Sequence, residues 1–191
     1  RVWSTQEGEQ RIESHTDRLT NYIRFWQADS ESQKTSIRTA TRLGQITEEG
    51  YYTGGGCPYG YTLVKKGRTN KKGVPLNDLE VNEEEAAVVR MVFDKYVNEG
   101  YGPQRIANYL HQVNIKNRAG KNWHPASIRG MLRNLTYTGV LRCGQSHSPV
   151  LSELQIIDQA TFERAQEIMR QRSGRYEETR NVPLNTRSKS L

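Results

Sequence analysis

The sequence predicts a mainly α chain with small β elements, of the α+β class, in which a long N-terminal helix precedes a compact helix-turn-helix-like domain. Three observations carry this prediction. An unbroken helical pattern runs from about residue 14 to Gly44, a glycine-rich segment follows it, and four shorter helical patterns occupy residues 82–172. The expected boundaries are 1–48 for the N-terminal segment with the long helix, 49–61 for a linker, 62–175 for the compact domain and 176–191 for a flexible tail.

The long helical pattern is apolar on one side of its first half only. Leu19, Tyr22, Ile23 and Trp26 fall at i, i+3, i+4 and i+7, whereas Ser30 to Arg42 is almost wholly polar. Nearly thirty residues would make a helix about 43 Å long. We expect a connector helix, or a surface for another subunit.

The linker is rich in residues that break regular structure. Gly54, Gly55 and Gly56 allow backbone conformations that other residues cannot reach, and also the close approach of a partner. A phosphate-binding loop is excluded because no Gly-x4-Gly-Lys-Ser/Thr occurs. Tyr61–Val64 then predicts a strand, and the basic run Lys65–Gly73 a hairpin loop.

The compact domain shows helix signals of the usual kinds. Asn82 can cap a helix that ends at Gly100, with Glu85 as its capping-box partner. Further helices are predicted from Pro103, from Pro125 to about Asn134, and from an Asp158 cap to about Arg172; β segments are expected at Arg1–Thr5, Ile115–Trp123 and Thr138–Arg142. Gly130 lies inside one of these helices and costs about 1 kcal/mol relative to alanine, which indicates close packing or close approach to something.

Charge is unevenly distributed along the chain, whose formal net charge is +7. Residues 61–75 contain five Lys or Arg and no acid, residues 76–100 contain seven carboxylates, and residues 101–150 contain seven Lys or Arg and no Asp or Glu. Dense cations without interspersed carboxylates favour a polyanionic partner. The alternative is a solvated basic face that is balanced by residues 76–100.

The remaining composition bounds the function classes. No apolar stretch approaches the roughly 20 residues of a bilayer-spanning helix, and the first ten residues lack a signal-peptide core. Cys57 and Cys143 are too few for a disulfide framework, and neither belongs to a CxxC pair. We expect a cytoplasmic chain that has no membrane association, metal or cofactor. A self-contained hydrolase is disfavoured because no Gly-x-Ser-x-Gly is present.

Two short helices separated by an extended excursion make a helix-turn-helix-like unit. Its second helix would present Arg129 and Arg133 on one face with Ser127 near its start, a geometry that suits base contacts in a DNA major groove. Residues expected to hold phosphates are Arg118 and Lys121 on the preceding loop, and Lys65, Lys66, Arg68, Lys71 and Lys72 on the hairpin. Arg42 completes the candidate DNA-binding set. Sequence-specific binding of duplex DNA is the expected function.

Six segments resemble the large serine recombinases, the site-specific integrases and transposon recombinases of phages and mobile elements. They are Glu31–Arg38, Gly54–Tyr61, Val81–Ala86, Ile106–Leu110, Trp123 and Leu132–Gly139. The resemblance covers roughly residues 14–172. It implies a bacterial or phage-encoded, nucleoid-associated protein in which a long helix leaves a catalytic domain, the glycines lie against a DNA groove and a recombinase domain binds the attachment site. A zinc-ribbon domain would follow residues 176–191.

The resemblance also implies a serine nucleophile in the catalytic domain. Ser4 lies in Arg1–Thr5, which looks faintly like the start of such a domain, but the helix motif follows too soon for a catalytic fold and its arginine cluster. No catalytic residue is therefore assigned, and the chain alone is expected to be inactive. Two alternatives stay open: a winged-helix transcriptional regulator, and an interaction module that uses the long helix for oligomerisation.

Overall fold

The computed structural model describes residues 2–4, 8–10, 15–70 and 73–180, and the chain divides into two compact units, 1–45 and 46–191. The first unit contains strand β1 (Val2–Ser4), which pairs antiparallel with β2 (Gly8–Gln10). It also contains most of helix α1 (His15–Glu48). Lys71, Lys72 and the predicted tail from residue 181 onward lie outside the described residues.

Helix α1 continues past Gly44, so the predicted end at that residue is wrong. One interior glycine lowers helix stability by only about 1 kcal/mol relative to alanine. The helix ends where Gly50 reverses the backbone. Gly50 has a φ of +84°, its N–H donates to Thr47 O at 2.8 Å, and the N–H of Tyr51 donates to Ile46 O at 3.0 Å. These two bonds form the Schellman arrangement that satisfies the last helical carbonyls.

The second unit combines four helices with two hairpins, which confirms the predicted α+β class. Strand β3 (Tyr61–Val64) pairs antiparallel with β4 (Asp78–Val81), with Tyr61 opposite Val81. The helices are α2 (Glu83–Val97), α3 (Pro103–Gln112), α4 (Pro125–Arg133) and α5 (Gln159–Arg180). Strands β5 (Arg142–Cys143) and β6 (Ser146–His147) form a short hairpin between α4 and α5.

One apolar core unites these helices. Its largest fully buried side chains are Tyr61, Phe93, Tyr96, Ile106, Leu110, Ile128, Leu132 and Tyr137. The hydroxyl of Tyr61 lies 2.8 Å from both Thr136 O and Leu154 O. Burial, with a smaller contribution from Tyr137, raises the pKa of Tyr61 above its usual range, so the hydroxyl keeps the proton that it donates. The strand β3 is thereby joined to the segment that follows α4.

The helix caps confirm most of the predicted starts. Asn82 Oδ1 accepts from the N–H of Glu85 at 3.3 Å, Pro103 occupies the first turn of α3, and Asp158 Oδ1 accepts from the N–H of Thr161 at 2.8 Å. The reciprocal half of the predicted capping box is absent, because the N–H of Asn82 donates to Gly60 O at 2.9 Å instead. The Glu85 carboxylate is used elsewhere.

Three predicted boundaries differ from the structure. Residues 115–123 contain no strand; Asn117 instead closes a turn by accepting from the N–H groups of Ala119 and Lys121, each at 3.0 Å. Thr138–Arg142 is not one strand, because a 3-10 turn (Leu135–Tyr137) precedes it and only Arg142 begins β5. Helix α5 continues to Arg180 instead of ending near Arg172.

Candidate nucleic-acid interface

Helix α4 presents the three side chains that the sequence predicted for base contacts. Ile128 and Leu132 are fully buried and Met131 is nearly so, which orients the helix and leaves Ser127, Arg129 and Arg133 exposed on its other side. The helix begins at Pro125, where the side chain of His124 accepts from the N–H of Ala126 at 3.2 Å. The exposed face contains no carboxylate, so its positive charge is uncompensated within α4.

Gly130 lies on this exposed face, and nothing in the described chain packs on it. A methyl group added to Gly130 would meet no atom within 4 Å. The close packing that the sequence suggested for this glycine is therefore absent from the free chain. What the glycine leaves is a shallow place on α4 where another molecule's surface could come close to the helix backbone.

The loop before α4 and the β3–β4 hairpin expose further predicted cations. Lys121 is exposed on the turn that Asn117 closes. Lys65 is exposed at the end of β3, and exposed Lys66 has its Nζ 4.0 Å from a carboxylate oxygen of Glu153. Exposed ion pairs of this length are weak, so Lys66 remains available to a partner.

Arg68 has a structural role that the sequence did not predict. Its Nε and Nη2 donate to the two carboxylate oxygens of Asp78 at 3.2 and 2.5 Å, and Nη2 also reaches Tyr52 O at 3.2 Å. Its guanidinium lies 4.3 Å from the ring centroid of Tyr51. A bidentate pair of this kind fixes the base of the hairpin. The predicted phosphate role of Arg68 is therefore not favoured.

Arg118 also turns inward rather than toward a partner. Its Nε donates to one carboxylate oxygen of Glu85 at 2.7 Å and its Nη2 to the other at 2.6 Å. The same guanidinium donates to Cys57 O at 3.0 Å, to Pro58 O at 3.1 Å and to Tyr61 O. Glu85 itself accepts from the N–H of Gly60 at 2.7 Å. Arg118, Glu85 and the backbone of residues 57–61 thus form a cluster that we call the linker clasp.

The linker clasp explains why the Arg118 side chain is not favoured as a phosphate contact. The hydrogen bonds that Arg118 donates to Glu85, with a smaller contribution from its bond to Cys57, raise the pKa of Arg118 above its usual range, although partial burial lowers it. Partial burial would raise the pKa of Glu85, but the hydrogen bonds from Arg118 and Gly60 outweigh it and lower that pKa. The ion pair therefore persists well into the acid range and fastens the end of the linker to α2.

Acid should weaken the linker clasp. Because the folded-state pKa of Glu85 lies below its ordinary value of 4.5, the stability it contributes is complete above that value and is lost as pH falls through the lowered pKa. Glu85→Gln should therefore be less stable than wild type at neutral pH, and this difference in free energy of unfolding should shrink as the pH falls below 4.5. Urea unfolding at several pH values measures it. Glu84→Gln changes an exposed neighbour on α2, so its free energy of unfolding should not converge with that of wild type at low pH. A difference for Glu85→Gln that stays constant with pH would contradict the role of the Glu85 carboxylate in the linker clasp.

The three linker glycines lie before the clasp, and the carbonyl of Gly56 accepts from the hydroxyl of Tyr52 at 3.2 Å. Gly54 and Gly55 have φ values of +96° and +106°, which side chains rarely adopt. A methyl group at Gly54 or Gly56 would meet nothing within 4 Å. This stretch is therefore narrow and open, as the predicted groove contact requires, whereas residues 57–61 are fastened. Arg42, on α1 in the other unit, is exposed, and its Nη1 lies 3.4 Å from Gln45 Oε1.

A groove lies beside α4 that the sequence did not reveal. Its volume is about 550 Å³, and it is lined by Tyr96, Gly102, Pro103, Gln104, Pro125, Arg129, Arg133, Met169, Arg172 and Ser173. The sequence analysis missed Arg172 because the groove residues beside it, on α2 and α4, are far from it in the sequence. Among the described residues, no group of three His, Cys, Asp or Glu could hold a metal ion, and no helix is long and apolar enough to cross a membrane.

Part of the compact domain matches a known protein family. The Recombinase family model matches residues 83–172. A curated protein of Bacillus subtilis (strain 168), described as a putative DNA recombinase, is 33% identical over 120 residues, which cover 59% of this chain and 22% of the relative. The chain therefore spans about a fifth of that protein's length.

Two solved structures were matched, and the first of them has the same fold. One, described as an LSR–DNA complex, matches 70% of this chain and 38% of its own with 23% identity and a TM-score of 0.55. A second, from a study of the Listeria innocua prophage attP site, matches 66% and 49% with 21% identity and a TM-score of 0.47. The first structure shows that the fold is shared. The match to the Recombinase family model and the similarity to the Bacillus subtilis protein confirm the predicted resemblance to recombinases.

Proposed function

We propose that this chain binds duplex DNA sequence-specifically at an attachment site, as part of a large serine recombinase. The match of the Recombinase family model to residues 83–172 supports the proposal. The observation that carries the proposal is the exposed face of α4, where Ser127, Arg129 and Arg133 stand on a buried apolar base. The absence of Asp and Glu from residues 101–150 supports it, because a phosphate backbone would be repelled by them.

The proposed contacts divide by position. Ser127, Arg129 and Arg133 read or approach bases, since arginine donates bidentately to guanine in the major groove. Lys65, Lys66 and Lys121 hold phosphates, and Lys71 and Lys72 remain proposed for the same hairpin. Gly54, Gly55 and Gly56 lie against a groove of the same duplex, and Arg42 stays a candidate contact on α1. Arg68 and Arg118 are left out because acceptors within the chain occupy them.

For the longer recombinase we propose site-specific strand exchange through a phosphoserine link, with no residue of this chain assigned to that chemistry. Helix α1 is proposed to take part in self-association of the parent protein. Tyr22 and Trp26 on its apolar stripe are 70% and 65% exposed, although aromatic side chains of this size are normally covered. A winged-helix regulator is not favoured, because the curated relative is described as a putative DNA recombinase.

Selection of bound duplexes from a random pool, at two salt concentrations, tests the proposal. We expect one enriched motif that persists at the higher salt, together with affinity that falls as salt rises. Retention that disappears at higher salt without an enriched motif would leave only phosphate attraction and would contradict sequence-specific binding. Weak, salt-insensitive retention would instead favour an interaction module.

Gly130→Ala separates the stability of α4 from its binding. The added methyl group has open space in the free chain, so the substitution should raise the free energy of unfolding by about 0.5–1 kcal/mol. If DNA approaches the α4 backbone here, the same methyl group should weaken DNA binding several-fold. Urea unfolding and fluorescence-anisotropy titration measure the two effects. Greater stability with unchanged affinity would show that the partner does not approach Gly130.

A further inference from the structure

The groove beside α4 has an unusual balance of charge. Arg129 and Arg133 enter it from α4 and Arg172 from α5, whereas its other described lining residues include no Asp or Glu. Three neighbouring guanidinium groups repel one another unless an anion lies between them. Such an arrangement in a free chain therefore favours an anionic ligand.

The acceptors that hold these arginines are neutral. Arg172 donates from Nη2 to Gly100 O at 2.8 Å and from Nη1 to Tyr101 O at 3.2 Å, and its guanidinium lies 4.8 Å from the ring centroid of Tyr96. Arg133 donates from Nε to the sulfur of Met169 at 3.1 Å. These contacts fix the direction of the side chains without cancelling their charge. Arg172 is half-buried, so the place of its positive charge is set before any ligand arrives.

We propose that this groove binds a backbone phosphate of duplex DNA, with Arg172 as a phosphate contact supplied by α5 and supported by Arg129 and Arg133. The inference rests on the proposed function, because α4 must lie in the major groove for a flanking phosphate to come within reach. Phosphate suits the site because a guanidinium fork can donate two parallel hydrogen bonds to phosphate oxygens. The major groove is about 12 Å wide, so its bordering backbone lies beside a helix that fills it.

Arg172→Gln tests the site, because glutamine keeps an N–H donor for the carbonyl of Gly100 but removes the charge. One lost phosphate contact should lower DNA affinity about tenfold and reduce the slope of log affinity against log salt by about 0.9, without changing the selected motif. Arg170→Gln is the matched control, since Arg170 lies two residues away, is 76% exposed and pairs with Glu167 at 2.8 Å. The control should keep the wild-type slope.

Gln104→Glu tests the same groove without touching an arginine. Gln104 lines the groove in the first turn of α3, where a carboxylate is favourable for the helix. The variant should fold at least as well as wild type yet bind DNA about tenfold more weakly. Asn108→Asp adds the same charge one turn later, outside the groove lining, and should weaken binding no more than about threefold.

The outcomes separate this inference from DNA binding itself. A reduced slope for Arg172→Gln alone, with weaker binding by Gln104→Glu than by Asn108→Asp, supports the phosphate site. If the wild-type protein binds DNA but Arg172→Gln keeps the wild-type salt slope, the site is overturned and the proposed function stays intact. An altered motif for Arg172→Gln also overturns the site, because it would mean base contact. If Arg172→Gln does not fold, equal affinities of Gln104→Glu and Asn108→Asp overturn the site. A wild-type protein that retains no duplex DNA overturns both proposals.

Discussion

Arg118→Ala is expected to lower the free energy of unfolding by about 2–3 kcal/mol, the largest stability effect that we predict for an exposed cation of this chain. The substitution removes every hydrogen bond from the guanidinium to Glu85 and to the carbonyls of Cys57, Pro58 and Tyr61. It also leaves the Glu85 carboxylate, whose side chain is only 15% exposed, with the N–H of Gly60 as its donor. The side chain of Arg118 is itself 40% exposed, which keeps the estimate below that for a fully buried pair.

Thermal unfolding measures this effect, and the midpoint should fall by roughly 4–12 °C for a domain of this size. Arg142→Ala is the matched control, because Arg142 is exposed on β5 and its Nε donates only to Gly144 O, at 3.1 Å. The free energy of unfolding of Arg142→Ala should lie within about 0.5 kcal/mol of the wild-type value. Arg118→Lys keeps the positive charge but loses the two parallel N–H donors of the guanidinium. Its unfolding midpoint should therefore lie between those of Arg118→Ala and Arg142→Ala. Equal stability of Arg118→Ala and Arg142→Ala would show that the linker clasp contributes nothing in solution.

The linker clasp also shows where sequence reasoning ends. The cap at Asn82 was predictable because its acceptor and donor are three residues apart. The partners of Arg118 are 33 to 61 residues away, and the side chain was interpreted as a phosphate contact because it stands in an acid-free stretch. Glu85 was interpreted as a capping-box residue because it lies three residues after Asn82. Only the fold brings Gly60 and Arg118 to its carboxylate. Local signals identified the starts of the helices in the compact domain, whereas the choice between an internal and an external partner needs the tertiary structure.

Element type followed from periodicity better than element length did. Helices α2, α3 and α4 lie where the sequence predicts helices, and each buries one side, because side chains at i, i+3 and i+4 must share one side of a helix. The end of α5 was placed too early, since the polar residues after Arg172 resemble a loop in composition although they continue the helix. The two-residue strands β5 and β6 carry too few side chains to show an alternation.

Of the candidate site, the sequence could give the face of α4 but not the groove beside it. Ser127, Arg129 and Arg133 follow from helical geometry once Ile128 and Leu132 are taken as core. The groove needs Tyr96, Gly102 and Arg172 from three other places in the chain. No pattern in the sequence joins those residues. The contacts themselves remain predictions.

Arg129→Ala is expected to weaken binding of the selected duplex by about 1–3 kcal/mol, or about 5- to 150-fold, and to relax the preference at one base position. Arg129 is exposed on α4 and makes no hydrogen bond or ion pair with the described residues, so its removal should leave the fold unchanged. The matched comparison is Lys121→Ala, because a lost phosphate contact weakens all sequences alike and reduces the salt slope by about 0.9. Both variants should unfold at the wild-type temperature.

Repeating the duplex selection with each variant distinguishes base contact from charge. A motif that loses information at one position only with Arg129→Ala would identify α4 as the recognition helix, because the guanidinium then discriminates one base pair from its alternatives. A motif unchanged by Arg129→Ala, with a reduced salt slope, would place Arg129 on the backbone together with Arg172. Sequence preference would then have to come from Ser127 and Arg133, or from the fit of the duplex to the face around Gly130.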